Sequence, residues 1–230
     1  MSDPISRREF VAGAAAAGMF SAMAAKLAAE EKPAAAEAKT PEKPPTIEET
    51  RAQLLKDFKR GGLSTTSGDA MLLRILVETR GAKRGVEVGS YHGYGAINMG
   101  IAFERTGGKL VTIDIDPAAV KVCRENLQKA ALEKTVQCVE GDALKVLGTL
   151  EGEFDFVFLD ARKEDYLKYY QLLAPRLKAG AVICADNVIR SAGAMKDFLD
   201  FVQTSPDLDT ATIRASMEKN DGMTVSFKIR

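Results

Sequence analysis

From residue 47 onward, apolar positions follow two different periods. Spacings of three and four predict helices over 47–58 and 68–79, the second with Leu72, Leu73, Leu76 and Val77 on one face. Short apolar runs rich in Val, Ile and Phe predict buried strands over 85–88, 109–113, 136–139, 154–159 and 181–184. Helical spacing returns between them, over about 95–105, 117–131, 163–175 and 193–203, and Pro117 suits a first helical turn. Strands alternating with helices imply an α/β fold: a mostly parallel sheet with helices on both faces. Two closing runs, 210–214 and 223–229, joined through Asn220-Asp-Gly222, add an antiparallel C-terminal edge and bring the sheet to seven strands.

A different pattern precedes this domain. Residues 1–29 carry Ser6-Arg-Arg-Glu-Phe-Val11, an alanine-rich stretch over 12–25 and small residues at Ala22-Met-Ala24, which reads as a twin-arginine export signal. The destination would be periplasmic or extracellular, and cytoplasmic if the leader is not functional. The apolar run falls short of the roughly 20 residues a membrane span requires. Residues 30–46, full of Ala, Glu, Lys and Pro, read as a solvated linker. Residues 47–230 are then long enough for one core and one domain. Lys plus Arg and Asp plus Glu balance at 32 each, so no basic field for nucleic acid is visible. The 3 cysteines are an odd number, and two fall in predicted strands, so buried free thiols are expected.

The chemistry-bearing residues collect at strand ends, where open α/β sheets bind their ligands. Asp160 comes directly after the run Phe154-Asp-Phe-Val-Phe-Leu159, Lys163 three residues later, and Asp186-Asn187 directly after Ala181-Val-Ile-Cys-Ala185. Neighbours within a strand point to opposite faces, so Asp186 and Asn187 share a ligand only where the chain leaves the sheet. Upstream, Gly89, Gly93 and Gly95 give G-x-x-x-G-x-G, not the G-x-G-x-x-G that seats a dinucleotide pyrophosphate, which disfavours a nicotinamide cofactor. Asp114 ends the next strand about 25 residues on, where a carboxylate takes a ribose diol, so a nucleoside is implied.

These residues, from about 46 to 230, resemble the cation-dependent O-methyltransferases, the family of catechol and caffeoyl-CoA O-methyltransferases. The likeness rests on ordered blocks: Gly81 to Gly89, Gly93-Tyr94, Thr112-Ile-Asp-Ile-Asp-Pro117, Glu140-Gly-Asp-Ala143, and the Asp160 and Asp186-Asn-Val188 blocks with Tyr166. The resemblance implies a Rossmann-like class I methyltransferase that moves a methyl group from S-adenosylmethionine to a hydroxyl of a small aromatic, catechol-like diol. Thr65, Glu87, Gly89, Ser90, Gly95, Asp114, Asp142, Ala143 and Asp160 would hold the donor. Asp160, Asp186 and Asn187 would bind a divalent cation, expected to be Mg²⁺, whose hard character suits oxygen ligands. Lys163 would accept the hydroxyl proton. Proteins of this kind are commonly dimers, so a homodimer is an expectation.

Each residue also has a plainer reading. Asp160 and Asp186 could cap the helices or loops next to their strand ends, Lys163 could belong to a solvated face, and Asp116 competes with Asp114 for the ribose. Gly141-Asp142 is a common turn, and His92, the only histidine, reads as a loop residue. The chain departs from the family with Gly95 where Ser is usual, Arg162 where many members carry a second acid, and no Trp. Two rival functions are methylation of a hydroxylated tRNA uridine, and a non-catalytic protein retaining the nucleoside pocket.

Overall fold

The computed structural model describes residues 43–215 and 217–230, so the predicted export signal and most of the linker lie outside the described residues. The first helices begin where the sequence supplies a cap. Helix α1 (Ile47–Lys56) starts with Thr46 and Glu49 in a reciprocal capping box. Helix α2 (Ser67–Arg80) starts with the Thr66 hydroxyl accepting from the Asp69 N–H, and ends at Gly81 in the left-handed conformation. Strand β1 (Arg84–Val88) leads into α3 (Tyr94–Thr106), and β2 (Lys109–Asp114) into α4 (Pro117–Lys129), which Asp116 caps.

Strand β3 (Val136–Glu140) is followed by α5 (Ala143–Thr149), a seven-residue helix that the apolar pattern does not indicate. Then come β4 (Phe154–Leu159), α6 (Tyr166–Leu173) and β5 (Leu177–Ala185). Helix α7 (Lys196–Thr204) precedes the closing pair β6 (Leu208–Ile213) and β7 (Met223–Lys228).

The seven strands lie in the order β3-β2-β1-β4-β5-β7-β6. Pairings from β3 to β5 are parallel, and those of β7 with β5 and β6 are antiparallel. This is the expected sheet and edge. Helices cover both faces, and the alternation along β4 shows how: Phe156 and Phe158 pack into one core with Leu73 and Phe103, while Val157 and Leu159 enter the other with Tyr166 and Phe198. Cys123, Cys138 and Cys184 are buried free thiols. Among the described residues, no helix is long and apolar enough to cross a membrane.

Strand order reverses between β1 and β4, which places a crevice beyond their carboxyl ends. The hydrogen-bond ladder continues one step past the sheet there. Gly89 N–H donates to Ile113 O at 2.8 Å, Asp160 N–H to Val88 O at 2.8 Å, and Asp186 N–H to Leu159 O at 2.9 Å. Three strands therefore present Gly89, Asp160 and Asp186 side by side at their first free positions.

Candidate functional site

Asp160 and Asp186 are neighbours because β4 and β5 are, and Lys163 reaches back to the first of them. Its ammonium donates to Asp160 Oδ1 at 3.0 Å and to the Tyr166 hydroxyl at 2.7 Å. Tyr166 is fully buried, and its hydroxyl in turn donates to the Asp186 carbonyl at 3.3 Å. Burial first, then the Asp160 and Asp186 carboxylates, push the phenol well above its ordinary range, so it stays protonated. Lys163 is thus held at two points by groups anchored in the core.

Asn187 leaves the strand with φ of 62°, in the left-handed region. That turn folds its amide back, so that Nδ2 donates to Asp186 Oδ2 at 3.2 Å. The requirement that adjacent residues converge only at a strand exit is met here. The Asp186 carboxyl is raised to about 7, chiefly by burial and then by the Asp160 and Asp69 carboxylates. Asp69, at the start of α2, is raised for the same first reason, and its Oδ1 is buried with no hydrogen-bond partner.

From this acidic centre a cavity of about 880 Å³ runs along the ends of the parallel strands. Thr65, Gly89, Ser90, Gly95, Asp114, Asp142, Ala143, Asp160, Lys163 and Asn187 all line it, so ten sequence-selected residues meet in one place. Glu87 and Asp186 do not open onto it. Glu87, 1% exposed, lies beneath the glycine loop, and burial raises its carboxyl to about 8. A Cβ on Gly95 would come within 2.8 Å of Glu87 Oε1 and 3.0 Å of Thr65 Oγ1. A serine there would press on both groups, so the glycine suits this packing.

Asp114 and Asp116 both line the cavity and differ in what they bond. Asp116 Oδ1 caps α4 through the Ala118 N–H at 2.9 Å, whereas Asp114 accepts the Tyr91 N–H at 2.7 Å and holds the glycine loop at the cavity wall. Asp142 caps α5 through the Leu144 N–H at 3.0 Å and also lines the cavity. His92 stacks on Tyr91 with centroids 3.8 Å apart and is not a cavity residue. Arg162 turns to Glu164 and Asp165.

The other end of the cavity is walled by the segment before α2, the loop after Asn187, and the approach to β7. Glu218 accepts from Arg60 at 2.7 Å and from the Ser67 hydroxyl at 2.5 Å, and Lys219 donates to the Ser64 carbonyl at 2.8 Å. Asp221 is buried, and its Oδ1 accepts from the N–H groups of Ile189, Arg190 and Gly222 at 3.0, 3.1 and 2.8 Å.

A family model described as O-methyltransferase matches residues 37–204. The chain belongs to the O-methyltransferase family. It is 32% identical over 139 residues to a catechol O-methyltransferase of Niastella koreensis, covering 59% of this chain and 62% of that protein. It is 32% identical over 157 residues to a catechol O-methyltransferase of Mycobacterium tuberculosis, covering 68% of each. The chain thus spans less than two thirds of the length of the first of these relatives. Among solved structures it is similar to the O-methyltransferase TomG of Streptomyces achromogenes in complex with SAM, with a TM-score of 0.70, 26% identity, and coverage of 82% of this chain and 92% of that one.

Asp69, Arg190, Lys219 and Asp221 join the site without a signal in the sequence that places them there. The Thr66-x-x-Asp69 spacing marks a helix start, but nothing in it points that start at Asp186. Asp221 sits in what reads as an ordinary turn. Among the described residues, no group of three or more His, Cys, Asp or Glu is disposed to hold a metal ion. The expected cation set, two carboxylates and an amide, has only two such residues.

Proposed function

We propose that this protein is an S-adenosylmethionine-dependent O-methyltransferase acting on a hydroxyl of a small aromatic diol, with a divalent cation at Asp160, Asp186 and Asn187. The observation that carries the reading is Lys163, fixed between Asp160 and Tyr166 at the point where the cavity passes from the Asp114 and Asp142 end to the Asn187 end. The relatives named as catechol O-methyltransferases and the SAM complex of TomG support it.

Features of the site support a place for each group. On the donor side, a Cβ on Gly89 would lie 2.1 Å from the Asp160 carbonyl, so the loop and the end of β4 approach as only a glycine with φ of +100° permits. Glu87 Oε2 is buried without a partner beneath that loop. At the cation side, the buried Asp186 carboxyl is crowded by two other carboxylates, and the Lys163 ammonium eases that crowding only in part. Oxygen donors in an electronegative recess suit a hard ion.

When bound, S-adenosylmethionine supplies an electrophilic methyl carbon and the cation acidifies the acceptor hydroxyl. The chain's own part is positioning and proton removal. Asp114 receives the ribose diol, and the Gly89 to Gly95 loop lies against the donor. Lys163 Nζ would take the hydroxyl proton as the neutral amine, after its ammonium has given a proton to solvent through the cavity it lines, and Tyr166 keeps that nitrogen in place.

The test is methylation of catechol with S-adenosylmethionine and Mg²⁺, read by product mass. Turnover abolished by chelator and restored by Mg²⁺ is expected. Donor binding without any transfer, across a panel of diols, would leave a nucleoside-binding protein. We further propose twin-arginine export, supported by Arg7-Arg8 and the apolar run after them. Replacing both arginines by lysine should retain the protein in the cytoplasm, and unchanged export would exclude this route.

A further inference from the structure

Among the described residues, four cationic side chains line the cavity, and three of them are already engaged. Lys163 holds Asp160 and Tyr166, Arg162 pairs with Glu164 and Asp165, and Lys219 donates to the Ser64 carbonyl. The fourth, Arg190, makes only a backbone contact: its N–H donates to Asp221 at 3.1 Å, while its guanidinium has no hydrogen-bond or ion-pair partner among the described residues.

Arg190 is exposed, yet its backbone is not loosely held. Asp221 Oδ1 gathers the N–H groups of Ile189 and Arg190, Val188 N–H donates to the Gly222 carbonyl at 3.0 Å, and Ser191 N–H closes a turn onto the Asn187 carbonyl at 3.0 Å. Arg190 therefore sits one turn beyond Asn187, at the cavity end away from Asp114 and Asp142. Of the acids lining the cavity here, Asp160 faces Lys163, and Asp221 holds three N–H donors through Oδ1. What remains is a fixed backbone carrying a planar cation without a partner among the described residues, in a cavity that the exposed apolar Leu63 also lines. A guanidinium matches a carboxylate through two parallel N–H···O bonds.

We propose that Arg190 reads a carboxylate on the acceptor, so that the preferred substrate is a hydroxylated aromatic acid and not a neutral diol. This rests on the methyl-transfer reading and adds the substrate class to it. Asn187 and Arg190 line the same cavity, so an anionic substituent on a diol held there would complete the guanidinium's hydrogen bonds.

The experiment compares 3,4-dihydroxybenzoate with its neutral amide, 3,4-dihydroxybenzamide, in the full chain and in Arg190→Gln and Arg190→Lys. The ratio of the two kcat/KM values cancels the effect of each variant on methyl transfer itself. A preference for the acid of about tenfold or more is expected in the parent, the size of a charge-assisted contact. It should fall to near one in Arg190→Gln, be partly kept in Arg190→Lys, and shrink with added salt. An equal ratio in the parent and Arg190→Gln overturns the inference while leaving the methyl-transfer reading standing. If neither compound is methylated, calorimetric binding of the same pair to protein loaded with S-adenosylhomocysteine decides. Tighter binding of the acid, lost in Arg190→Gln, supports the inference, and equal binding overturns it.

Discussion

Tyr166 binds no ligand in this reading, yet the aim of Lys163 depends on it. Removing its hydroxyl in Tyr166→Phe deletes the 2.7 Å contact and leaves the lysine held by Asp160 and by its position over the aromatic ring. Turnover should fall about tenfold to a hundredfold, since small misplacements of a reacting group are costly. Donor affinity, measured by calorimetry, should stay unaltered. Lys163→Ala should lose on the order of 10² to 10⁴ in kcat. A fully active Lys163→Ala would remove the lysine from the chemistry. The two raised carboxyls make a separate statement about stability. Asp186 is lifted from 3.8 to about 7 and Glu87 from 4.5 to about 8, so the folded protein holds these protons more tightly than the unfolded chain. Stability of the cation-free protein should therefore fall as pH rises through each window and level off above about 8. Urea unfolding from roughly pH 4.5 to 8.5 measures this, and Asp186→Asn should flatten the lower part of the slope. A stability that rises across that range would contradict both carboxyl assignments.

At the scale of elements, the site depends on β1 and β4 ending in contact. Gly89→Ala would drive a Cβ into the Asp160 carbonyl at 2.1 Å and force a left-handed φ on alanine. A loss of roughly 3 kcal/mol or more is expected in denaturant unfolding, with donor binding abolished even in the fraction that folds. Helix α1 is tied down differently, through Arg51 to Glu104 at 2.6 Å and to the Ala130 carbonyl at 2.8 Å. Arg51→Ala should cost about 1 to 3 kcal/mol, chiefly by leaving the buried Ala130 carbonyl unpaired, since Glu104 is exposed and water replaces its partner, and hydrogen exchange should rise first in α1. Most of these elements are legible in the sequence because their signals are local: apolar runs for β1 to β5, Pro117 in the first turn of α4, and the turn at residues 220–222. Helix α5 is not, because seven residues with a glycine carry too little periodicity, although Asp142 caps it and Ala143 and Leu147 are buried one turn apart. Strand β5 begins four residues earlier than the apolar run, since Leu177 pairs with Phe154 across an irregular register. The site is legible where residues end strands. Asp69, Asp221 and Arg190 stay hidden because their places depend on which loops meet, and no pattern along the chain encodes that.

Across the whole molecule, charge is balanced in number but uneven in space. Lys plus Arg and Asp plus Glu are equal at 32 each, yet Asp69, Asp160 and Asp186 act on one another at the carboxyl edge of the sheet. The energetic cost of that crowding is what a divalent cation would relieve, so the ion should act as a folding ligand as well as a reactant. Binding to the folded state alone stabilises by about 2.7 kcal/mol at a hundredfold excess over Kd. The effect must depend on pH. With its carboxyl at about 7, Asp186 is mostly protonated one unit below that value and mostly ionised one unit above it, and the proton and the ion compete for the same oxygens. Below that value, apparent affinity should drop by about tenfold per pH unit for a single competing proton. Melting curves with and without Mg²⁺ should therefore separate more at about pH 8 than at about pH 6. The separation should collapse in Asp186→Asn, which gives up the charge but keeps the shape. Equal separations at both pH values would mean the ion binds elsewhere. No separation at the higher pH with either Mg²⁺ or Mn²⁺ would mean that the carboxylates are held apart from any cation, with Lys163 and protons alone meeting their charge.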